Sequence, residues 1–257
     1  MTIVLRREVV LGGALTLAFG GRCSCALAQV GPYPTFGCVV PPARESSFHG
    51  RATRAETFKT GTEQLEPRSN NAPLDYALAQ TLARLARTFD VLPAFSYFQE
   101  ERDDDFNALA TKSPMLERAD GTVLFGLGML RHLLDVSERP DAAIISVCAH
   151  EFGHIASMKR NEIDKLAPDP TQPYRAEQHA DYVSGFYAGL RAREVKDYPA
   201  LIFATTARAL GRPTRGTHGT SAERGRAVVE GFKAAKDRNL SVSEGLDEAF
   251  RYAMSQA

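Results

Sequence analysis

Apolar residues recur three and four apart in some stretches of this chain and alternate in others. Leu74, Leu78, Leu82, Leu85 and Phe89 fall at helical spacing, which predicts an amphipathic helix ended by Pro93. Residues 94–98 then read as a strand. Residues 99–105 carry Glu100, Glu101, Asp103, Asp104 and Asp105. Their spacing is not that of an EF-hand loop, so they are expected to form an exposed, solvated turn. Residues 106–110 and 122–125 read as two further strands, the second behind the turn signal Asp120-Gly121. Residues 126–135 are predicted to be a short helix in which His132 is structural.

The next helix begins at Pro140-Asp141, with Asp141 as its N-cap. Ile144, Ile145, Val147, Cys148, Phe152 and Ile155 make it apolar on most sides, so it is expected to be buried. Residues 160–174 hold Pro168, Pro170 and Pro173 and read as a loop. A helix over 176–191 follows, packing through Ala180, Val183, Tyr187 and Leu190. Residues 221–238 and 243–256 read as two more helices, the last capped by Ser243. The pattern is α+β: a mainly helical domain over 71–257, with a small antiparallel or mixed sheet beside the helix that starts at Pro140.

The N-terminal residues change the picture. Arg6-Arg7 precedes an apolar stretch from Val9 to Phe19, and Ala26-Leu27-Ala28 is a cleavage signal. Residues 1–28 therefore read as an export signal, twin-arginine-like, with the general secretory route also open. Cleavage after Ala28 gives a soluble periplasmic or secreted protein; the competing reading is an uncleaved anchor. Residues 29–70, with Pro32, Pro34, Pro41 and Pro42, read as an extended arm or linker, and its His49 as a surface residue. Cleavage leaves Cys38 and Cys148. Export permits a disulfide between them, although Cys148 is read first as a small buried hydrophobe. Basic and acidic residues number 31 each, which gives no footprint for nucleic acid or anionic membrane.

Candidate chemistry enters at His150-Glu151-Phe152-Gly153-His154. Histidines four apart share a helix face and can reach one metal ion. Glu151 stands one step round the helix, beside a water on that ion. This is the H-E-x-x-H zinc pattern. On a buried helix these three polar groups need partners, and a metal with its water satisfies all three. The extended form of the motif needs Gly at 157 and His at 160; the chain has Ser157 and Arg160 there, so the third ligand comes from a later helix. Glu177 and Asp181 lie four apart on one face there. Together they offer a ligand and a carboxylate to hold the far nitrogen of a ligating imidazole. His179 points about 200° from Glu177 and is set aside.

These segments resemble the HtpX and CAAX-prenyl-endopeptidase type of zinc metallopeptidase, among the gluzincins. His150–His154 matches the zinc helix, and Glu177-Gln178-His179-Ala180-Asp181 is similar to the family's E-x-x-A-D helix. Thr217-His218 with Arg224 resembles its T-H-P…R segment, with Gly219 in place of the proline. Asn107-Ala108 and Gly128-Met129-Leu130 resemble the strand and short helix before the zinc helix. The resemblance covers roughly 106–224 and implies a zincin-type domain. It also implies His218 as donor to an oxyanion, and Arg224 as support for the loop or for a substrate carboxylate. Family members of the prenyl type span membranes, whereas no transmembrane helix follows the signal here, and no tetratricopeptide repeats follow the domain.

The expected activity is a zinc endopeptidase acting outside the cytoplasm on peptides or unfolded protein. One Zn²⁺ per chain is held by His150, His154 and Glu177, with Asp181 behind them and Glu151 as general base. The edge strand at 106–110, including Asn107 and Ala108, would hold an extended peptide by main-chain pairing. Two alternatives share the site: a non-catalytic exported protein with a zinc-stabilised fold, and a hydrolase of non-peptide amides or esters.

Overall fold

Buried strands with both faces covered read as apolar runs rather than alternations, and two such runs form the middle of the sheet. In the computed structural model, which describes residues 37–69, 71–101 and 106–256, these are β2 (Ala94–Phe98) and β4 (Thr122–Gly126), paired in parallel from Ala94↔Thr122 to Phe98↔Gly126. β1 (Glu56–Thr57) pairs antiparallel with β2, and β3 (Ala108–Thr111) pairs antiparallel with β4. The order is β1-β2-β4-β3, so β3 is a terminal strand. The fold is α+β with a small mixed sheet. The export signal read over 1–28 lies outside the described residues.

Helices cover this sheet. α2 (Ala72–Phe89) is capped by Asn71, whose side chain accepts from the Leu74 amide, and it buries Leu78, Leu82, Leu85 and Phe89. α3 (Leu127–Val136) follows β4 directly, and α4 (Pro140–Lys159) is buried along nearly its whole length from Ala142 to Met158. A short α5 (Ile163–Leu166) interrupts the expected 160–174 loop. α6 (Tyr174–Glu194) packs against α4 on one side and against α8 (Ser221–Lys236) and α9 (Val242–Met254) on the other. α7 (Leu201–Ala209) closes over α4 and α8. It was not expected from the sequence: its nine residues bury Phe203, Ala204, Thr206 and Ala207 but show no polar face long enough to set a period.

Several expectations need correction. Within the stretch read as an extended arm, the described part is folded: α1 (Pro42–His49) lies in it, as does β1, and Val40 and Phe48 pack with Phe98, Leu109 and Leu124. Proline spaces the start of this stretch, but Pro42 sits at the first helical turn, where the missing N–H costs nothing. Glu100 is not a solvated turn residue. It is buried, and its carboxylate accepts the amides of Gly128 and Met129 at 2.9 and 3.0 Å, capping α3. Asp103, Asp104 and Asp105 lie outside the described residues. Asp141 sits inside the first turn of α4 rather than at its cap, where Arg139 stands. Ser241, not Ser243, caps α9, through a capping box with Glu244.

Candidate metal centre

The crossing of α4 and α6 brings the motif histidines against the carboxylate helix. His150 and His154 stand one turn apart, with ring centroids 4.8 Å apart and planes nearly perpendicular. Their Nε2 atoms lie 3.2 Å from each other. Glu177 Oε2 lies 3.1 Å from His150 Nε2 and 3.6 Å from His154 Nε2. Nitrogen and oxygen ligands about 2.0–2.1 Å from a tetrahedral zinc are separated by about 3.3 Å along each edge. The three atoms thus stand at the spacing that such an ion requires, with two imidazoles and one carboxylate as donors.

A second layer of contacts fixes the first. The Nδ1–H of His150 donates to Asp181 Oδ1 at 2.8 Å. Arg224, from α8, grips the same carboxylate with both of its ends, Nε to Oδ2 and Nη2 to Oδ1, each at 2.8 Å. All three side chains are buried. Glu177 and Asp181 thus both reach the His150 ring, one at each nitrogen. Arg224 holds Asp181 and also lines the central cavity. His179 stays out of the cluster, as its angle on the helix required. It is fully buried, and neither ring nitrogen has a hydrogen-bond partner among the described residues.

His218 arrives from the segment before α8, and its Nε2 lies 3.1 Å from Glu177 Oε2. Its carbonyl accepts from Gln178 Nε2 at 3.2 Å, and Thr217 Oγ1 is 3.0 Å from its Nδ1. Gly219 follows at φ +87°, a backbone angle closed to proline, which accounts for the departure from the T-H-P pattern. Glu151 is almost wholly buried, and its Oε2 has no partner among the described residues; the same holds for Nδ1 of His154. An orphaned buried oxygen such as that of Glu151 is rare and fits a site whose natural occupants are a cation and a water. Asn107 and Ala108 border the same cavity; the Asn107 carbonyl accepts the Gly126 amide at 2.9 Å.

One participant carried no site assignment from the sequence. The backbone amide of Cys38 donates to Glu177 Oε1 at 2.8 Å, and its Sγ lies 2.9 Å from His218 Nε2. Ligand atoms of Cys38, His150, Glu177 and His218 all fall within 4.8 Å of one another, as do those of Cys38, Glu151 and His154. Cys148, on α4, is fully buried, and both cysteines are free thiols, so no disulfide joins them. The run Gly37-Cys38-Val39-Val40 ahead of Pro41-Pro42 was the available signal: a short apolar stretch inside a polar arm. His49 is half-buried with its Nε2 3.2 Å from Thr111 Oγ1, and His132 stacks on Phe106 at 4.4 Å; neither approaches the cluster.

Charge is unevenly shared here. Burial alone depresses His150, but the Asp181 and Glu177 carboxylates raise it to about 10. Burial takes His218 down to about 3, with the charges of Arg224 and His150 adding, against the pull of Glu177. His154 is also lowered by burial. Burial pushes Glu151 up to about 8, with His150 opposing and Glu177 adding to the rise. Burial raises Glu177, but the surrounding imidazoles outweigh it and hold the carboxylate ionised. Burial, with Glu151 and Glu177 beside it, pushes the Cys38 thiol up. The cavity at the centre has a volume of only about 30 Å³ and is lined by Cys38, Ala108, His150, Glu151, His218 and Arg224 among others. That is room for one or two water-sized groups.

Comparison with known proteins returns no matching family model, no matching curated protein and no matching solved structure.

Proposed function

We propose that this chain is a zinc-dependent endopeptidase of zincin type, acting outside the cytoplasm on peptides or unfolded protein. The observation that carries the reading is the convergence of His150, His154 and Glu177 at 3.1–3.6 Å beside a buried Glu151 oxygen without a partner. A site that served structure alone has no use for that carboxylate. Export rests on the reading of residues 1–28, and the metallopeptidase assignment draws on the resemblance of 106–224 to the HtpX type.

His150, His154 and Glu177 would hold the ion, and Asp181 with Arg224 would fix the ring of His150. When bound, zinc supplies Lewis-acid polarisation of the scissile carbonyl and of the attacking water. Glu151 accepts a proton from that water and returns it to the leaving amine. Its elevated affinity for a proton suits an acceptor that must also donate. His218, neutral through burial, can carry its ring proton on Nε2 when the Thr217 hydroxyl donates to Nδ1. It is then the group available to donate to the oxyanion.

The test compares Glu151 with Glu151→Gln, each in the wild-type chain and with Cys38→Ser, which removes the thiol from the cavity. Zinc content and cleavage of an unfolded, dye-labelled protein are measured. The expected result is equal zinc in all forms and cleavage that falls by about 10²-fold or more with Glu151→Gln. Equal cleavage by the Glu151 and Glu151→Gln forms in both backgrounds sinks the peptidase reading. The small cavity of about 30 Å³ favours a second reading, a zinc-stabilised exported binding protein without turnover. That reading predicts bound zinc and no cleavage in any form.

A further inference from the structure

Residues 37–40 occupy the position where an extended peptide would pair. β3 ends the sheet, and its free side is the edge expected to receive a substrate main chain. That side is taken at Ala110. The Val40 amide donates to the Ala110 carbonyl at 2.9 Å, and the Ala110 amide donates to the Cys38 carbonyl at 2.8 Å, in a parallel bridge centred on Val39. The segment then enters the metal cluster. The Cys38 amide binds Glu177 Oε1, and Cys38 Sγ reaches the space among His150, Glu151, Glu177 and His218.

The approach is built into the sequence. Gly37 holds φ +68°, and a Cβ there would lie 2.4 Å from Glu177 Oε1 and 2.8 Å from Pro173 Cγ. No other residue fits at that angle and distance. On the other side, Val40 is anchored in the small core of Phe48, Phe98, Leu109 and Leu124. With the segment in place, His150, Glu151, His154 and Glu177 are each 5% exposed or less. The space left beside Glu151 is a cavity of about 30 Å³, too small to hold a peptide main chain with its side chains.

We propose that residues 37–40 are an intramolecular inhibitor, in which Cys38 gives up its thiol proton to solvent as the metal binds and supplies a thiolate as the fourth ligand, while the flanking main chain blocks the β3 edge. The inference rests on the metal site proposed above. With Cys38 added, His150, His154 and Glu177 would make up a four-ligand set, whereas catalytic sites keep one position open. The closed form is latent, and displacement of residues 37–40 opens both the metal and the edge. A minor open state is commonly populated at about 0.1–10%, so release of the segment is expected to raise turnover about tenfold or more.

Cobalt(II) loaded in place of zinc reads the ligand directly, because a thiolate bound to cobalt gives near-ultraviolet charge-transfer absorption. The full chain, its Cys38→Ser variant and its Gly37→Ala variant are compared for this band and, as zinc forms, for cleavage of the dye-labelled unfolded protein. Iodoacetamide labelling at Cys38, with and without zinc, is followed by mass spectrometry on the wild-type chain, which does not depend on a variant folding. The expected result is a band in the wild type that disappears with Cys38→Ser and weakens with Gly37→Ala, zinc protection of Cys38 from alkylation, and about tenfold or greater activation in both variants. Absence of the band in cobalt-loaded wild type, or unprotected Cys38 in the zinc form, overturns the ligand. Equal activity of wild type and Cys38→Ser overturns the latency. A band with no cleavage by any form leaves the ligand standing and instead removes the peptidase reading.

Discussion

Arg224 meets Asp181 through two parallel hydrogen bonds of 2.8 Å, both inside the protein. The pair is not an isolated salt bridge, because Asp181 Oδ1 also accepts the His150 Nδ1–H. The guanidinium fork fixes the carboxylate, and the carboxylate fixes the plane of the His150 ring, a candidate metal ligand. A lysine keeps the charge but cannot supply the fork. Arg224→Lys is therefore expected to weaken zinc binding about 10–100-fold, the usual consequence of loosening an outer partner of a ligand. Chelator competition measures it. Unchanged affinity would show that His150 is oriented by packing alone.

The start of α8 decides where Arg224 stands. Thr220 accepts the Glu223 amide while the Glu223 carboxylate accepts the Thr220 amide, a complete capping box. Thr220→Ala removes one half of it and should cost about 0.5–2 kcal/mol of stability. Arg224 lies one turn further on, so fraying also reaches the metal site. Urea denaturation gives the first quantity and zinc affinity the second. A loss of stability without any loss of affinity would place the two in independent units of the fold.

How far the site was legible differs from residue to residue. His150, Glu151 and His154 follow from helical spacing alone, since one turn of helix puts both imidazoles on one face. Glu177 and Asp181 follow from the same arithmetic applied to α6, once a third ligand is required. Cys38 was out of reach, because its role depends on pairing across 71 positions, Val39 with Ala110, and no local period encodes such a pairing. Glu100 was misread for a related reason. An acidic run looks solvated until the amides at the start of α3, 28 and 29 residues away, are known to face it. Arg224 resembled a family position, but its partner emerged only from the packing of α6 on α8. Short apolar α7 had no polar face to give a period.

Zinc is expected to stabilise the fold by mass action. The donor atoms of His150, His154 and Glu177 come from two helices at the centre of the core, so an ion that binds only the folded chain ties α4 to α6. At a free zinc concentration of 100 times Kd the gain is about 2.7 kcal/mol. The full chain should melt at a higher temperature with zinc than with a chelator, and His154→Ala should abolish the difference. A zinc effect that survives His154→Ala would locate the ion elsewhere.

His179 gives the acid limb of stability a molecular source. It is fully buried, neither ring nitrogen has a partner among the described residues, and burial, with the charges of His154 and Arg160 adding, lowers it to about 3. In the unfolded chain a histidine takes up its proton near pH 6.5. Between these values the unfolded state binds the proton and the folded state does not, so stability falls as pH drops through that window, by about 1.4 kcal/mol per unit for one group. His150 adds nothing to this limb. Its folded value is raised to about 10, so it is protonated in both states at acid pH, and its contribution is lost only as pH rises towards 10. His154 and His218 are lowered as well and keep part of the slope. His179→Leu removes the buried titrating group and fills similar space. In metal-free protein, urea denaturation at about pH 7.5 and about pH 5 should show the variant losing roughly 2 kcal/mol less than wild type between the two, from some 1.5 units below the unfolded value. An identical loss in both proteins would mean that His179 takes up its proton without leaving the fold.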